Sequence, residues 1–268
     1  GAEEVVDTAI QEDAQAIAIS SYQGGHMEYF RYMRKLLDEA GASHIKIFGG
    51  GGGVIVPDEI EVLEAGIVER IYSPEDGRQM GLVGMIDDMM KRSDFDPVSV
   101  APVTLEDVVS GADGSVARMI SMAEQDLATP GILPAPIREH LENGITERKI
   151  PVLGITGTGG AGKSSLTDEL LRRYTLDFPK DRVAVVSIDP TRKRTGGALL
   201  GDRIRMNAIT PGQVFMRSMA TRDQKGELSG AIQEAIAVCK AAAFDLIIIE
   251  TSGIGQGDVG ITDLSDIS

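Results

Sequence analysis

Eight consecutive residues, Gly157-Thr158-Gly159-Gly160-Ala161-Gly162-Lys163-Ser164, could do chemistry as a unit. They match the phosphate-binding loop pattern of a glycine, four residues, then Gly-Lys-Ser/Thr. Glycines let backbone N–H groups turn inward around phosphate oxygens, and the helix that follows presents its positive end. In such a loop Lys163 reaches the β- and γ-phosphates, and the Ser164 hydroxyl ligates Mg2+, with Ser165 beside it. The competing reading is a glycine-rich turn that binds nothing. The aliphatic run before the loop and the helical spacing after it favour a nucleotide.

Other positions could complete that site. The run ending Ser187-Ile188-Asp189-Pro190 puts a carboxylate where ligands of parallel sheets sit. Leu246-Ile247-Ile248-Ile249-Glu250 is a second aliphatic run closed by a carboxylate, suited to holding Mg2+ and its waters. The loop that follows, Thr251-Ser252-Gly253-Ile254-Gly255-Gln256, has glycines that would let it change shape with a γ-phosphate. Between them, Thr195 to Arg205 is glycine-rich and ends in charge, with Asp202 and Arg205 in it. An acidic residue at a strand end is more often a cap or a turn residue than a ligand. A phosphate-binding loop upstream reverses that balance.

Taken together, residues 154–258 resemble the G-protein chaperones of cobalamin-dependent acyl-CoA mutases. The shared pieces are GITGTGGAGKSS, SIDPTRKRTGGALLGDRIRMN, FMRSMATR and IIIETSGIGQGD. The resemblance implies GTP as nucleotide, Lys163, Asp189 and Glu250 in catalysis, and Mg2+ held around Ser164, Asp189, Asp202, Glu250 and Thr251. It implies a nucleotide contact at Arg205. The Asn-Lys-x-Asp motif that reads guanine is not in these residues, so guanine specificity is implied by the resemblance alone.

The first hundred residues carry a second pattern. Ser20-Ser21-Tyr22 closes one aliphatic run, and 26 residues separate Tyr22 from Gly49-Gly50, the start of five consecutive glycines. This resembles the cobalamin-binding domain of acyl-CoA mutases, where Ser-x-Leu precedes Gly-Gly at such spacing; Tyr22 stands in place of the leucine. Small residues at strand edges would let the cofactor's nucleotide tail pass, which points to Ser20, Tyr22, Gly49 and Gly50. On spacing alone, a flexible loop explains the glycines equally well. None of His26, His44 and His140 sits in an Asp-x-His-x-x-Gly context, so no axial cobalt ligand is assigned.

These residues need elements to position them. Residues 1–96 alternate helix and strand: helices near 3–14, 27–40, 58–65 and 79–92, strands near 16–20, 44–48 and 68–72. Aliphatic runs such as Ala16-Ile17-Ala18-Ile19 suit strands buried on both faces. Met85, Met89 and Met90 are expected to pack a core, and the acidic pairs Asp58-Glu59 and Asp87-Asp88 to lie on solvated helix faces. Six of the 11 prolines fall from Pro97 to Pro151, and residues 97–149 read as a partly helical linker, with helices near 116–127 and 137–143. Residues 150–268 alternate again, with strands near 150–156, 182–188, 214–218 and 245–250 and helices near 163–174 and 226–243. No helix is expected after the last strand. The expected fold class is α/β, with two doubly wound parallel-sheet domains, flavodoxin-like and then P-loop NTPase. Both are expected to be incomplete, the first lacking its opening strand and the second its C-terminal part.

Composition closes off other classes. The chain of 268 residues has 26 Lys+Arg against 41 Asp+Glu, a net charge of −15, which opposes phosphate-backbone binding by nucleic-acid proteins. Aromatics at 4% with no Trp leave little for base stacking. A single cysteine, Cys239, excludes an internal disulfide, and no apolar run has the length of a membrane span. The expected setting is the cytoplasm, with no nucleic-acid or membrane partner. The order of cobalamin-type unit, linker and G-protein unit resembles the fused isobutyryl-CoA mutase family. That resemblance implies adenosylcobalamin as cofactor, a separate substrate barrel as partner and a homodimer. A P-loop ATPase for metal or cofactor delivery, or a non-hydrolysing corrinoid carrier, remain the alternatives.

Overall fold

The computed structural model describes residues 1–143, 149–190, 201–221, 227–251 and 258–268; for 189, 190, 201, 202, 221, 227–229 and 258–260 it describes the backbone alone. Two units divide the chain, Gly1–Pro102 and Val103–Ser268.

In the first unit β1 (Ala16–Ser20), β2 (Lys46–Gly50) and β3 (Arg70–Tyr72) form a parallel sheet in that order. Side chains alternate across a strand, so Ile17, Ile47 and Ile71 share one face. Three helices cover it: α1 (Ala2–Gln11) through Val6 and Ile10, α2 (His26–Glu39) through Phe30, Met33 and Leu37, and α3 (Pro57–Glu64) through Leu63. Phe30, Met33 and Leu37 are fully buried, and each such side chain contributes about 1.5–3 kcal/mol. The spacing 30, 33, 37 is the helical period that the sequence declared.

The opposite face is held differently. The helix α4 (Pro74–Ser93) buries none of its residues, and Met90 is 65% exposed, so the expected methionine core is not there. Polar bonds tie α4 to β3 instead: the Tyr72 hydroxyl donates to Asp88 at 2.9 Å, and Arg70 Nη2 donates to Asp76 at 2.7 Å. Burial, then the Asp88 carboxylate, pushes the Tyr72 phenol up to about 12. Ser73 caps α4 reciprocally with Asp76, and Pro74 fits the first turn, so the helix starts earlier than periodicity suggested. Gly81, at φ 66°, interrupts it. At the sheet edge Ala18 and Ser20 are exposed, so β1 is not buried on both faces. A short α5 (Pro97–Val100) ends the unit.

In the second unit the helices of the 97–149 segment pack inward. They are α6 (Leu105–Val109), α7 (Asp113–Ala128) and α8 (Ala135–Asn143). α7 buries Val116, Met119, Ile120 and Ala123. The sheet is parallel, in the order β4–β7–β5–β6, from β4 (Val152–Ile155), β5 (Val183–Pro190), β6 (Val214–Thr221) and β7 (Leu246–Thr251). One face buries Val183, Val185, Met216 and Ile248 under Leu171 of α9 (Lys163–Asp177). α11 (Glu227–Ala241) and α7 lie over the other face, where Arg217 of β6 reaches Ser121 and Glu124 of α7 at 3.0 and 3.2 Å. A short α10 (Gly201–Arg205) packs beside α9.

The last helix, α12 (Asp258–Leu264), was not expected. Among its described side chains Ile261 is the buried one, and the short segment has too little apolar period to announce a helix. It lies close over β4: a Cβ on Gly154 would meet Ile261 Cγ2 at 2.9 Å and Ser265 Oγ at 2.8 Å. No helix among the described residues is long and apolar enough to cross a membrane.

Candidate nucleotide site

β4 ends at Ile155, and the chain turns through residues 157–162 into α9. Gly157, Gly160 and Gly162 have φ of +145°, +79° and +87°, conformations that side-chain-bearing residues adopt only at a cost of about 1–2 kcal/mol. Gly162 is the N-cap of α9, so the free N–H groups of the first helical turn open onto the loop. The loop residues Thr158–Gly162 are exposed. Lys163 Nζ donates to the carbonyls of Gly157 and Thr158 at 2.9 and 3.0 Å, folding its ammonium back over the loop.

Beneath the loop lies a carboxylate. Glu250 is the penultimate residue of β7 beside β4, in register with Ile155, and is 1% exposed. A charge buried that deeply requires partners. Ser164 Oγ donates to Glu250 Oε1 at 2.5 Å, a charge-assisted length, and Thr167 Oγ1 lies 2.8 Å from Oε2. A hydroxyl that donates its proton to Glu250 keeps lone pairs for a cation. Hydroxyl and carboxylate oxygens are the hard donors that Mg2+ takes, usually with waters and phosphate completing its shell. The donor set therefore fits Mg2+, and Ser164 and Glu250 are the residues that would hold it. Among the described residues no cluster of three or more His, Cys, Asp or Glu would bind a metal without a nucleotide.

The other expected residues distribute as follows. Thr251 is 3% exposed at the end of β7, opposite Ile188 of β5. The backbone of Asp189 lies one residue further along β5, opposite Ala220. Asp202 lies in α10; the side chains of both aspartates fall outside the described residues. Arg205, at the end of α10, is exposed and so is Ser165 in α9. Sequence reasoning missed Thr167, fully buried one turn after Lys163, and Asp168, which accepts the Ala208 N–H at 2.7 Å and fixes the chain after α10. The available signal was spacing: residues 164, 167 and 168 share one helix face.

In the first unit, Ser20 and Gly50 lie side by side at the carboxyl ends of β1 and β2, and the Ser21 N–H bonds the Gly50 carbonyl at 2.7 Å. A Cβ on Gly50 would meet only Tyr72 O at 3.6 Å, which leaves that edge open. Gly49 is a glycine for another reason: its Cβ would lie 2.5 Å from Ile71 and 2.7 Å from Phe30. Tyr22 is 71% exposed, with its ring against Gly52. The open small-residue edge fits a cofactor tail. It supplies no cobalt ligand. His26 is 7% exposed and engaged 2.9 Å from Glu59, His44 precedes β2 at the other edge, and His140 lies in α8 of the second unit. Glu59 and Asp88, expected on solvated faces, are thus both engaged.

Comparison with known proteins extends this geometry. Over 99% of its length the chain is 56% identical to a fused isobutyryl-CoA mutase of Geobacillus kaustophilus and 58% identical to one of Cupriavidus metallidurans. It spans about a quarter of each of those relatives, 25% and 24% of their lengths. Over 116 residues, 43% of this chain and 29% of the other, it is 38% identical to a methylmalonic aciduria type A homolog of Caenorhabditis elegans. The family description methylmalonyl-CoA mutase-associated GTPase MeaB matches residues 116–268, so by sequence as by its phosphate-binding loop the chain belongs to that family.

Proposed function

We propose that this chain couples Mg2+-dependent GTP binding and hydrolysis to the handling of adenosylcobalamin in an acyl-CoA mutase. The observation that carries the nucleotide half is the convergence of Lys163, Ser164 and the buried Glu250 on the loop 157–162. Backbone N–H groups of that loop and of the first turn of α9 bind phosphate oxygens. Lys163 exchanges its two carbonyl acceptors for phosphate, which carries full charge and binds an ammonium more strongly. Ser164 and Glu250, with Asp189 and Asp202, hold the metal, which when bound offsets the charge that develops on the phosphates.

Two observations support the cobalamin half: the open edge at Ser20 and Gly50, and the identity to fused isobutyryl-CoA mutases across both units. In this reading nucleotide turnover gates cofactor loading, and the interconversion of isobutyryl-CoA and n-butyryl-CoA takes place on a substrate barrel. Cobalamin, when bound, supplies radical chemistry. The residues of this chain bind and orient it.

The test is nucleotide selection and turnover in the intact protein. GTP should bind more tightly than ATP in the presence of Mg2+, and Lys163→Ala should lower turnover by at least 100-fold, as expected when a phosphate-charge stabiliser is lost. Preference for ATP would overturn the GTPase reading in favour of an ATP-driven delivery protein. Unchanged turnover in Lys163→Ala would remove the loop from catalysis.

A further inference from the structure

Thr167 carries a hydroxyl near the loop that is closed off from solvent. It is fully buried on the sheet side of α9, under the residues that face the nucleotide. Its Oγ1 lies 3.0 Å from the Lys163 carbonyl and 2.8 Å from Glu250 Oε2. A threonine hydroxyl has a single proton to donate. The Lys163 carbonyl is a neutral helix acceptor, whereas Glu250 is a buried carboxylate, and hydrogen bonds to ionised acceptors are roughly twice as strong. The proton therefore goes to Glu250.

A mid-helix threonine often bonds only its own helix. Thr175, two turns further along α9, does so: its Oγ1 meets the carbonyls of Leu171 and Arg172 at 2.9 and 3.3 Å and no carboxylate. Thr167 differs in bridging two elements, since Glu250 comes from β7, 83 residues away in the chain. With Oε2 held by Thr167, the carboxylate cannot rotate, and Oε1 stays aimed at Ser164.

We infer that Thr167 is a positioning residue for the Mg2+ site, fixing the Glu250 carboxylate so that Ser164 and Oε1 stand ready together. The inference rests on the nucleotide-and-Mg2+ reading above. It concerns metal affinity and leaves phosphate binding by the loop untouched. Partners that orient a metal-binding group are worth about 10–100-fold in metal affinity.

The experiment measures GDP affinity of the intact protein by calorimetry, with Mg2+ and with a chelator, for the wild type and for Thr167→Val, Thr167→Ser and Thr175→Val. Magnesium should raise wild-type affinity, and Thr167→Val should shrink that gain by about tenfold while leaving metal-free affinity within twofold. Thr167→Ser should restore the gain, and Thr175→Val should not change it. Should the valine variant fail to fold, Thr167→Ala carries the same expectation. A Thr167 variant that keeps the full Mg2+ gain, or that weakens binding equally with and without metal, overturns the inference alone. A wild type with no Mg2+ gain overturns the parent reading and this one with it.

Discussion

Glu250 accepts from two hydroxyls in a place with almost no water, and the two are not equivalent. Ser164 opens toward the loop; Thr167 is sealed behind it. Ser164→Ala should remove a metal donor and also leave the buried carboxylate one partner short. The expected results are loss of Mg2+-dependent nucleotide affinity and a fall in folding stability of about 1–3 kcal/mol, read from the urea midpoint. Cys239 stands at the opposite pole of reactivity. Burial pushes its thiol up to about 12, far from thiolate at neutral pH. It should not react with a disulfide reagent at pH 8 in the native protein, and should react at once when urea unfolds it. Lys163, Ser164 and Glu250 were legible because glycine spacing and a strand-final carboxylate are local signals. Thr167 was not, because its meaning depends on a strand more than eighty residues away. Glu59 and Asp88 misled for the same reason, since their partners His26 and Tyr72 lie outside their own helix turns.

At the scale of elements, glycine at position 49 shows packing where a ligand edge was expected. Adding one methyl there would press on Ile71 and Phe30 at 2.5 and 2.7 Å. Gly49→Ala should destabilise the first unit by about 1–3 kcal/mol, the usual cost of overpacking a close core, measured as a lower thermal midpoint. Gly50→Ala, with ordinary contact only, should fold normally; the pair separates packing from access. The strands and the long amphipathic helices were readable from their periods, to within a few residues at the ends. α4 was misread because an arginine–aspartate and tyrosine–aspartate network, with no apolar stripe, attaches it. The 97–149 segment read as a linker because of its prolines, yet α7 buries a full apolar face. The helices near 116–127 and 137–143 were readable from their spacing; that α7 packs inside the second unit was not.

At the scale of the molecule, the nucleotide site lies within the second unit, Val103–Ser268. GDP with Mg2+ at a hundred times its dissociation constant should stabilise that unit by about 2.7 kcal/mol. Hydrogen exchange resolved by peptide checks this, with protection gained in residues 152–171 and 246–251. Acid should act on the second unit through Asp266. The Val152 N–H, bonded at 2.9 Å, holds its carboxyl below the ordinary value of 3.8, with Lys149 helping. The unfolded chain therefore takes up the proton first. The tie is complete above pH about 4 and is lost as pH falls through the lower folded value. The Val152 amide resonance should move over that acid range, and Asp266→Asn should abolish the movement.

The pairing of β4 with β7 has a consequence in time. The loop and its carboxylate are adjacent only because the chain travels out through β5 and β6 and returns between β4 and β5. Contacts closing so long a stretch form slowly, whereas helices form in microseconds. On refolding from urea, ellipticity should recover first, and binding of a fluorescent guanine nucleotide should appear only after a lag. The site thus reports the last strand to dock, and a nascent chain would meet its nucleotide only once the sheet is closed.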